Sequence, residues 1–262
     1  MSASEAAALL PGPLAVEGQS IVVTGAARGL GAAIARHLHG RGARLILLDR
    51  DADGLAATSA ACGGATAEVV DLADADATAR AIDAVVRGPV DTVVHNAALL
   101  RMEPLEAVTL DRFRTTLDVG IQAAFQLTKA VWPGMRERGG TLVFVSSRSG
   151  IEGFAEETAY CAAKHALEGF SKSVALEGAP HGILSVTITP GMFMHTPMSE
   201  STYPPELRER WVDPLELAPA FAYLATRPLQ WSGHRLDAWA ISRAAIAEPQ
   251  GDPPHAGPSR GG

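Results

Sequence analysis

The sequence predicts a single α/β domain, a doubly wound and mostly parallel sheet with helices on both faces. Three observations carry this. Strand-like and helix-like segments alternate from residue 20 to residue 191. The strand-like runs are apolar almost throughout, as strands covered on both faces must be. No repeat and no internal linker breaks the alternation within 262 residues, a length that one large domain can hold.

Each element has its own signal. "SIVVTG" (20–25) is a β-branched run that ends in glycine, hence a buried strand. "GLGAAIARHLHGRG" (29–42) puts Leu30, Ile34 and Leu38 on one helical face and stops at Gly40 and Gly42. Further strands are expected at 43–49, 66–72, 89–97, 140–147 and 183–191, with helices between them. The longest helical stretches are 109–137, expected to break near Pro133, and 158–179. The domain is placed at 18–242, after an N-terminal extension (1–17). The Pro/Gly-rich end of the chain (243–262) reads as a disordered tail.

Composition narrows the function. Hydrophobic residues make up 47% of the chain, enough for a substantial core. A net charge of −7 opposes a nucleic-acid surface, which needs a basic patch. No apolar run reaches the roughly 20 residues of a membrane span. The N-terminus has no Lys or Arg before an apolar stretch, so a secretory signal is not expected. Cys62 and Cys161 lack metal-type spacing and read as reduced thiols of a cytoplasmic protein. No metal site is expected.

Candidate functional residues fall at the carboxyl ends of the strands, where such sheets bind ligands. "TGAARGLG" (24–31) joins the first strand to the first helix. Its Gly25, Gly29 and Gly31 allow a tight turn and close approach to a pyrophosphate, which the helix N-terminus favours. Asp49 ends the second strand. It can accept ribose hydroxyls and repel a 2′-phosphate, or it can simply cap the next helix. Arg28 and Arg50 are the counter-signal, since either could pair with a phosphate. On balance NAD is favoured and NADP is the weaker alternative. Asp71 can cap a helix or contact adenine. "SSRSGIEGFAEETAYCAAK" (146–164) holds Ser147, Tyr160 and Lys164. Tyr160 and Lys164 stand four apart, on one helix face. An ammonium there would favour the phenolate over the free phenol, whose pKa is about 10.

In order and spacing these motifs resemble the short-chain dehydrogenase/reductase family, over about residues 18–240. The resemblance rests on "TGAARGLG", Asp49, "DL" (71–72), "HNAA" (95–98), Ser147, "YCAAK" (160–164) and "PG" (190–191). It implies a Rossmann-type domain and a catalytic set of Ser147, Tyr160 and Lys164, with Tyr160 as general acid/base. It implies cofactor contacts by Gly25, Arg28, Gly29, Leu30, Gly31, Asp49, Asp71, Leu72, Asn96, Tyr160, Lys164 and Thr196. A homodimer or homotetramer is expected, through the helices near 109–137 and 158–179.

Four departures from the family pattern stand out. His95 and Ala98 replace family residues in "HNAA", and His95 reads as a packing residue. Gly120 occupies the position of a family Asn that helps anchor a water beside the lysine. A helical glycine suggests that a side chain is unwelcome there or that a kink is useful; a water-filled gap beside Lys164 is expected, and the alternative is that Gly120 makes room for the substrate. The loop to Thr196 is one residue longer than usual. "GHRLDAW" (233–239) replaces the usual Gly-Gly ending. The segment 192–212 stands where the family carries a substrate lid, and its Met and aromatic residues can either pack a loop helix or wall an apolar pocket.

The leading expectation is an NAD-dependent enzyme that interconverts a secondary alcohol and a ketone on an apolar, cyclic small molecule. The alternatives are a non-catalytic NAD-binding protein, and a lyase, epimerase or cyclase on the same scaffold.

Overall fold

The computed structural model of the protein describes residues 16–247. The tail from 248 onward and the extension up to residue 15 lie outside the described residues. Seven strands form one sheet in the order β3-β2-β1-β4-β5-β6-β7. They are β1 (Ser20–Thr24), β2 (Arg44–Asp49), β3 (Thr66–Val69), β4 (Thr92–His95), β5 (Gly140–Val145), β6 (Ile183–Thr189) and β7 (Arg235–Asp237). Every neighbouring pair is parallel. The order reverses between β1 and β4, which opens a crevice at their carboxyl ends.

The helices are α1 (Gly29–His39), α2 (Ala52–Ala61), α3 (Ala75–Val85), α4 (Leu110–Leu117), α5 (Ala123–Arg138), α6 (Thr158–Gly178), α7 (Pro197–Thr202), α8 (Ala218–Ala225) and α9 (Ala238–Ala247). They build one core on each face of the sheet. Val23, Ile34, Leu38, Val186 and Phe221 belong to one, and Val22, Val93, Leu127, Phe144 and Leu167 to the other. Adjacent residues Val22 and Val23 thus face opposite layers, as the two-residue period of a strand demands.

Three expectations shift. Helix α5 passes through Pro133 without ending. Pro133 and Lys129 lie on the exposed face, so water can take the Lys129 carbonyl that the ring leaves unbonded. The break comes earlier, as a π-helical turn over Asp118–Gln122 between α4 and α5. Helix α9 runs through Ala247, past the expected end of the domain at 242. Among the described residues, no helix is long and apolar enough to cross a membrane.

Candidate active site

The crevice holds a cavity of about 400 Å³, within the range of small-molecule sites. Gly25, Arg28, Gly29, Leu30, Asp49, Asp71, Leu72, Asn96, Tyr160, Lys164 and Thr196 all line it. Seven elements or their connections therefore converge on one space, from residues up to 171 positions apart in sequence. Gly31 and Ser147 are not among the lining residues. Gly31 serves packing instead, since a Cβ there would collide with the Gly25 carbonyl oxygen.

The glycine turn is built for close approach. Gly25 has φ +65°, and a Cβ on it would sit 2.8 Å from Asn96 Nδ2. Asn96 Nδ2 donates to the carbonyls of Thr24 (3.1 Å) and Gly25 (3.2 Å), which ties β4 to the turn. No side chain caps the N-terminus of α1, so its first N–H groups remain free for an anion.

Asp49 is not a helix cap. Asp51 caps α2 by accepting the Gly54 N–H at 3.1 Å. The two Asp49 oxygens accept the N–H groups of Ala27 (2.9 Å) and Asp51 (3.0 Å). Each oxygen keeps a lone pair for a hydroxyl in the cavity. Arg28 leans toward Asp51 at 3.9 Å. Asp71 accepts the Ala73 N–H at 3.0 Å, and the cap of α3 is Asp74. Thr196 caps α7 through Ser199 and packs its methyl toward Gly29. This arrangement fits a dinucleotide, with a glycine cradle, a free helix N-terminus and a carboxylate floor.

At the other end lie Tyr160 and Lys164. Burial pushes the Tyr160 phenol above its ordinary range, the nearby Ser147 hydroxyl opposes this in part, and Tyr203, Glu157 and Cys161 push it further up. Lys164 stands one helical turn from Tyr160 on α6. Its Nζ donates to the Val145 carbonyl at 2.7 Å and lies 5.3 Å from the Tyr160 ring centroid. Burial lowers the Lys164 ammonium to about 8, opposed by the nearby Glu168 carboxylate.

The sequence matches the short chain dehydrogenase family over residues 19–207. The chain belongs to this family, the short-chain dehydrogenases/reductases. It is 34% identical to L-xylulose reductase of Bos taurus over 72% of this chain and 78% of the bovine protein. It is 34% identical to D-erythrulose reductase of Gallus gallus, over 78% of this chain and 80% of that one. Galactitol 2-dehydrogenase of Agrobacterium fabrum is 35% identical over 65% of this chain and 69% of its own length. Among solved structures, a candidate NAD(P)-dependent gluconate 5-dehydrogenase from Beutenbergia cavernae, with NADP bound at low occupancy, superposes with a TM-score of 0.77. That pair is 29% identical and covers 87% of this chain and 99% of the other. The protein is accordingly a short-chain alcohol dehydrogenase/ketone reductase, from a family that uses NAD(P).

This short-chain dehydrogenase departs from the family pattern most sharply at Gly120. A Cβ there would lie 2.9 Å from the Cβ of Ala163, the residue before Lys164. The expected water-filled gap is not what the missing side chain provides, because α6 occupies that space. The π turn brings the Gly120 carbonyl to His95 Nε2 at 2.9 Å. His95 Nδ1 meets the Thr24 hydroxyl at 3.1 Å. That hydroxyl already accepts the N–H groups of Asn96 and Ala97, so its proton points to Nδ1 and the ring proton sits on Nε2. Burial, helped by the Lys164 charge, lowers His95 to about 4, against the pull of the Gly120 and Val119 carbonyls. His95 is therefore a neutral clamp at neutral pH. Gly120→Asn should destabilise the fold by about 1–3 kcal/mol through overpacking. Thermal melts check this, and an unchanged melting temperature would mean that the π turn absorbs the side chain.

Sequence reasoning missed two acidic residues. Glu168 accepts from Ser146, Thr187 (2.7 Å) and Arg235 (3.1 Å). Glu157, only 6% exposed, accepts the Ser149 hydroxyl at 2.7 Å. Glu168 follows Lys164 by one helical turn, and that spacing was the available signal.

Proposed function

We propose that the protein interconverts a secondary alcohol and a ketone with NAD, using Tyr160 as general acid/base. The convergence of Tyr160, Lys164, Asn96, Asp49 and Thr196 on one cavity supports this reading most. In it, Asp49 holds the adenosine ribose, the turn at Gly25–Leu30 holds the pyrophosphate, and Thr196 and Lys164 hold the nicotinamide end. A nicotinamide bound there would supply hydride transfer to and from the substrate carbon. Ser147 hydrogen-bonds the substrate oxygen as charge changes on it. Tyr160 exchanges a proton with that oxygen.

Asp49 supports NAD over NADP, since its fixed carboxylate would repel a 2′-phosphate. Asp49→Ala should weaken NAD binding about tenfold or more, through loss of charged hydrogen bonds, and relax the exclusion of NADP. Fluorescence titration with both cofactors checks this. A wild type that already prefers NADP would assign the choice to Arg28 or Arg50.

The substrate is proposed to be an apolar, cyclic alcohol or ketone. Leu99, Leu100, Val119, Met194 and Met198 line the cavity, and Phe193 packs edge-on to Tyr203 in the lid with ring centroids 5.4 Å apart. The relatives named for xylulose, erythrulose and galactitol favour a second reading, a polyol or ketose. NADH formation with a panel of cyclic alcohols and sugar alcohols decides between them, and turnover of sugar alcohols alone would reject the apolar substrate. A homodimer or homotetramer is also proposed, supported by exposed Phe125 on α5 and Leu176 on α6.

A further inference from the structure

A second groove adjoins the active-site cavity. Arg101, Glu103, Arg112 and Thr202 line it, and Leu100 and Ser201 line both spaces. The groove therefore opens off the cavity between the segment after β4 and helix α7. It lies toward Tyr160. The Glu103 N–H donates to the Glu156 carbonyl at 3.0 Å, in the segment that joins Ser147 to Tyr160. Asp49 and the glycine turn line the cavity and not the groove. The cofactor residues thus claim the cavity, and the groove is left for the outer part of a substrate.

The chemistry of the groove differs from that of the cavity. Leu99, Val119, Met194 and Met198 make the cavity apolar near its reacting end. The groove carries two guanidinium groups and one carboxylate. Glu103 Oε2 accepts from Arg112 Nη1 at 2.6 Å, and the Glu103 side chain is 17% exposed, so this carboxylate is already paired. Among the described residues Arg101 has no ion-pair partner. The lining therefore holds one unbalanced positive charge. A guanidinium has five N–H donors, and Glu103 takes one of those on Arg112. The Ser201 hydroxyl spends its proton on the Met198 carbonyl at 2.9 Å. The charged donors left for a ligand belong to Arg101 and Arg112.

We infer that the groove is an anion subsite, which takes a carboxylate carried by the substrate beyond its reacting carbon, and that Arg101 sets this specificity. A carboxylate brings one charge, equal to the unbalanced one, and its two oxygens match the fork of a guanidinium. A phosphate monoester brings about −1.5 to −2 and would stay partly unbalanced. The substrate class is then a cyclic hydroxy acid and its keto acid, with the apolar ring in the cavity and the acid group in the groove. The inference rests on the proposed alcohol and ketone reaction at Tyr160. The subsite binds and orients, and takes no part in the hydride or proton transfer.

The test measures binding first, so that it does not depend on the choice of alcohol. Calorimetry on the NAD-loaded full-length protein compares cyclohexanecarboxylate, cyclohexylacetate and cyclohexylpropionate with their amides. The best acid should bind about fivefold or more tighter than its amide, more than an exposed ion pair of ordinary geometry gives. Arg101→Gln should bring the two within about twofold by weakening the acid alone. Arg101 is exposed, so this change spares the core, and a thermal melt confirms it. Arg114→Gln removes an exposed arginine of α4 that does not line the groove, and should keep the preference. Failure of every acid to bind, equal affinity of acid and amide, or a preference that survives Arg101→Gln would each overturn the subsite. Kinetics extend the test. Hydroxycyclohexane carboxylates should show a KM about fivefold or more below that of their methyl esters, and Arg101→Gln should close that gap with kcat within about twofold. A preference for acids in binding, without NADH formation from any alcohol, would reject the proposed reaction and leave the subsite standing. NADH formation from neutral alcohols, without a preference for acids, would reject the subsite and leave the reaction standing.

Discussion

Tyr160→Phe is expected to lower turnover by about 10²–10⁴ while NAD still binds, because it deletes one oxygen and keeps the ring. Tyr160 and Lys164 both line the cavity, with Lys164 Nζ 5.3 Å from the Tyr160 ring centroid. Removing the phenol oxygen strands the substrate oxygen without a proton partner, whichever direction the reaction runs. Phe keeps the ring face toward Lys164, so the packing of α6 and the Lys164 to Val145 bond should survive. The loss therefore belongs in kcat, with KM and melting temperature nearly unchanged. Steady-state kinetics, cofactor titration and a melt on the same sample check it. Turnover within tenfold of wild type would remove Tyr160 from the chemistry.

The features legible in the sequence were local ones. Largely apolar or β-branched runs that stop at glycine or aspartate marked β1, β2 and β6, as expected of strands buried on both faces. The strand-turn-helix context placed Gly25 and Gly29 at the crevice, and the one-turn spacing put Tyr160 and Lys164 together. The features that stayed hidden depend on partners far away in the chain. Gly120 announces a missing side chain, but only Ala163 on another helix gives the reason. His95 looked like packing, and its place between Thr24 and Gly120 needs three segments at once. Pro133 misled because its effect depends on which face of α5 it occupies. Asp49 reads as a possible cap in sequence, and the N–H groups that it and Asp51 accept give that role to Asp51. The short β7, "RLD", carries two charges in three residues and no strand signature. Its pairing with β6 makes it a strand.

One of those two charges carries the second large effect. Arg235 on β7 donates to Glu168 on α6 at 3.1 Å and to the Ser147 carbonyl at 2.9 Å. Their side chains are 12% and 8% exposed, so the pair is nearly out of water. Glu168 spends its remaining capacity on Ser146 and Thr187. Arg235→Ala would leave that carboxylate buried without its guanidinium, the situation in which losing one partner costs about 3–5 kcal/mol. For a domain of this size, a loss of about 3 kcal/mol lowers the melting temperature by roughly 6–12 °C. The exchange also frees the Ser147 carbonyl, so kcat should fall along with stability. A second substitution separates the two effects. Glu168→Gln with Arg235→Met removes both charges and keeps much of the volume, and most of the lost melting temperature should return, because an intact buried pair adds little over apolar packing. The Ser147 carbonyl still lacks its donor in the double variant, so turnover should stay low. Recovery of both together would mean that Arg235 stabilises the fold without positioning Ser147. A melting temperature within about 2 °C of wild type in Arg235→Ala would mean that water reaches Glu168 and that the pair contributes no more than a surface one.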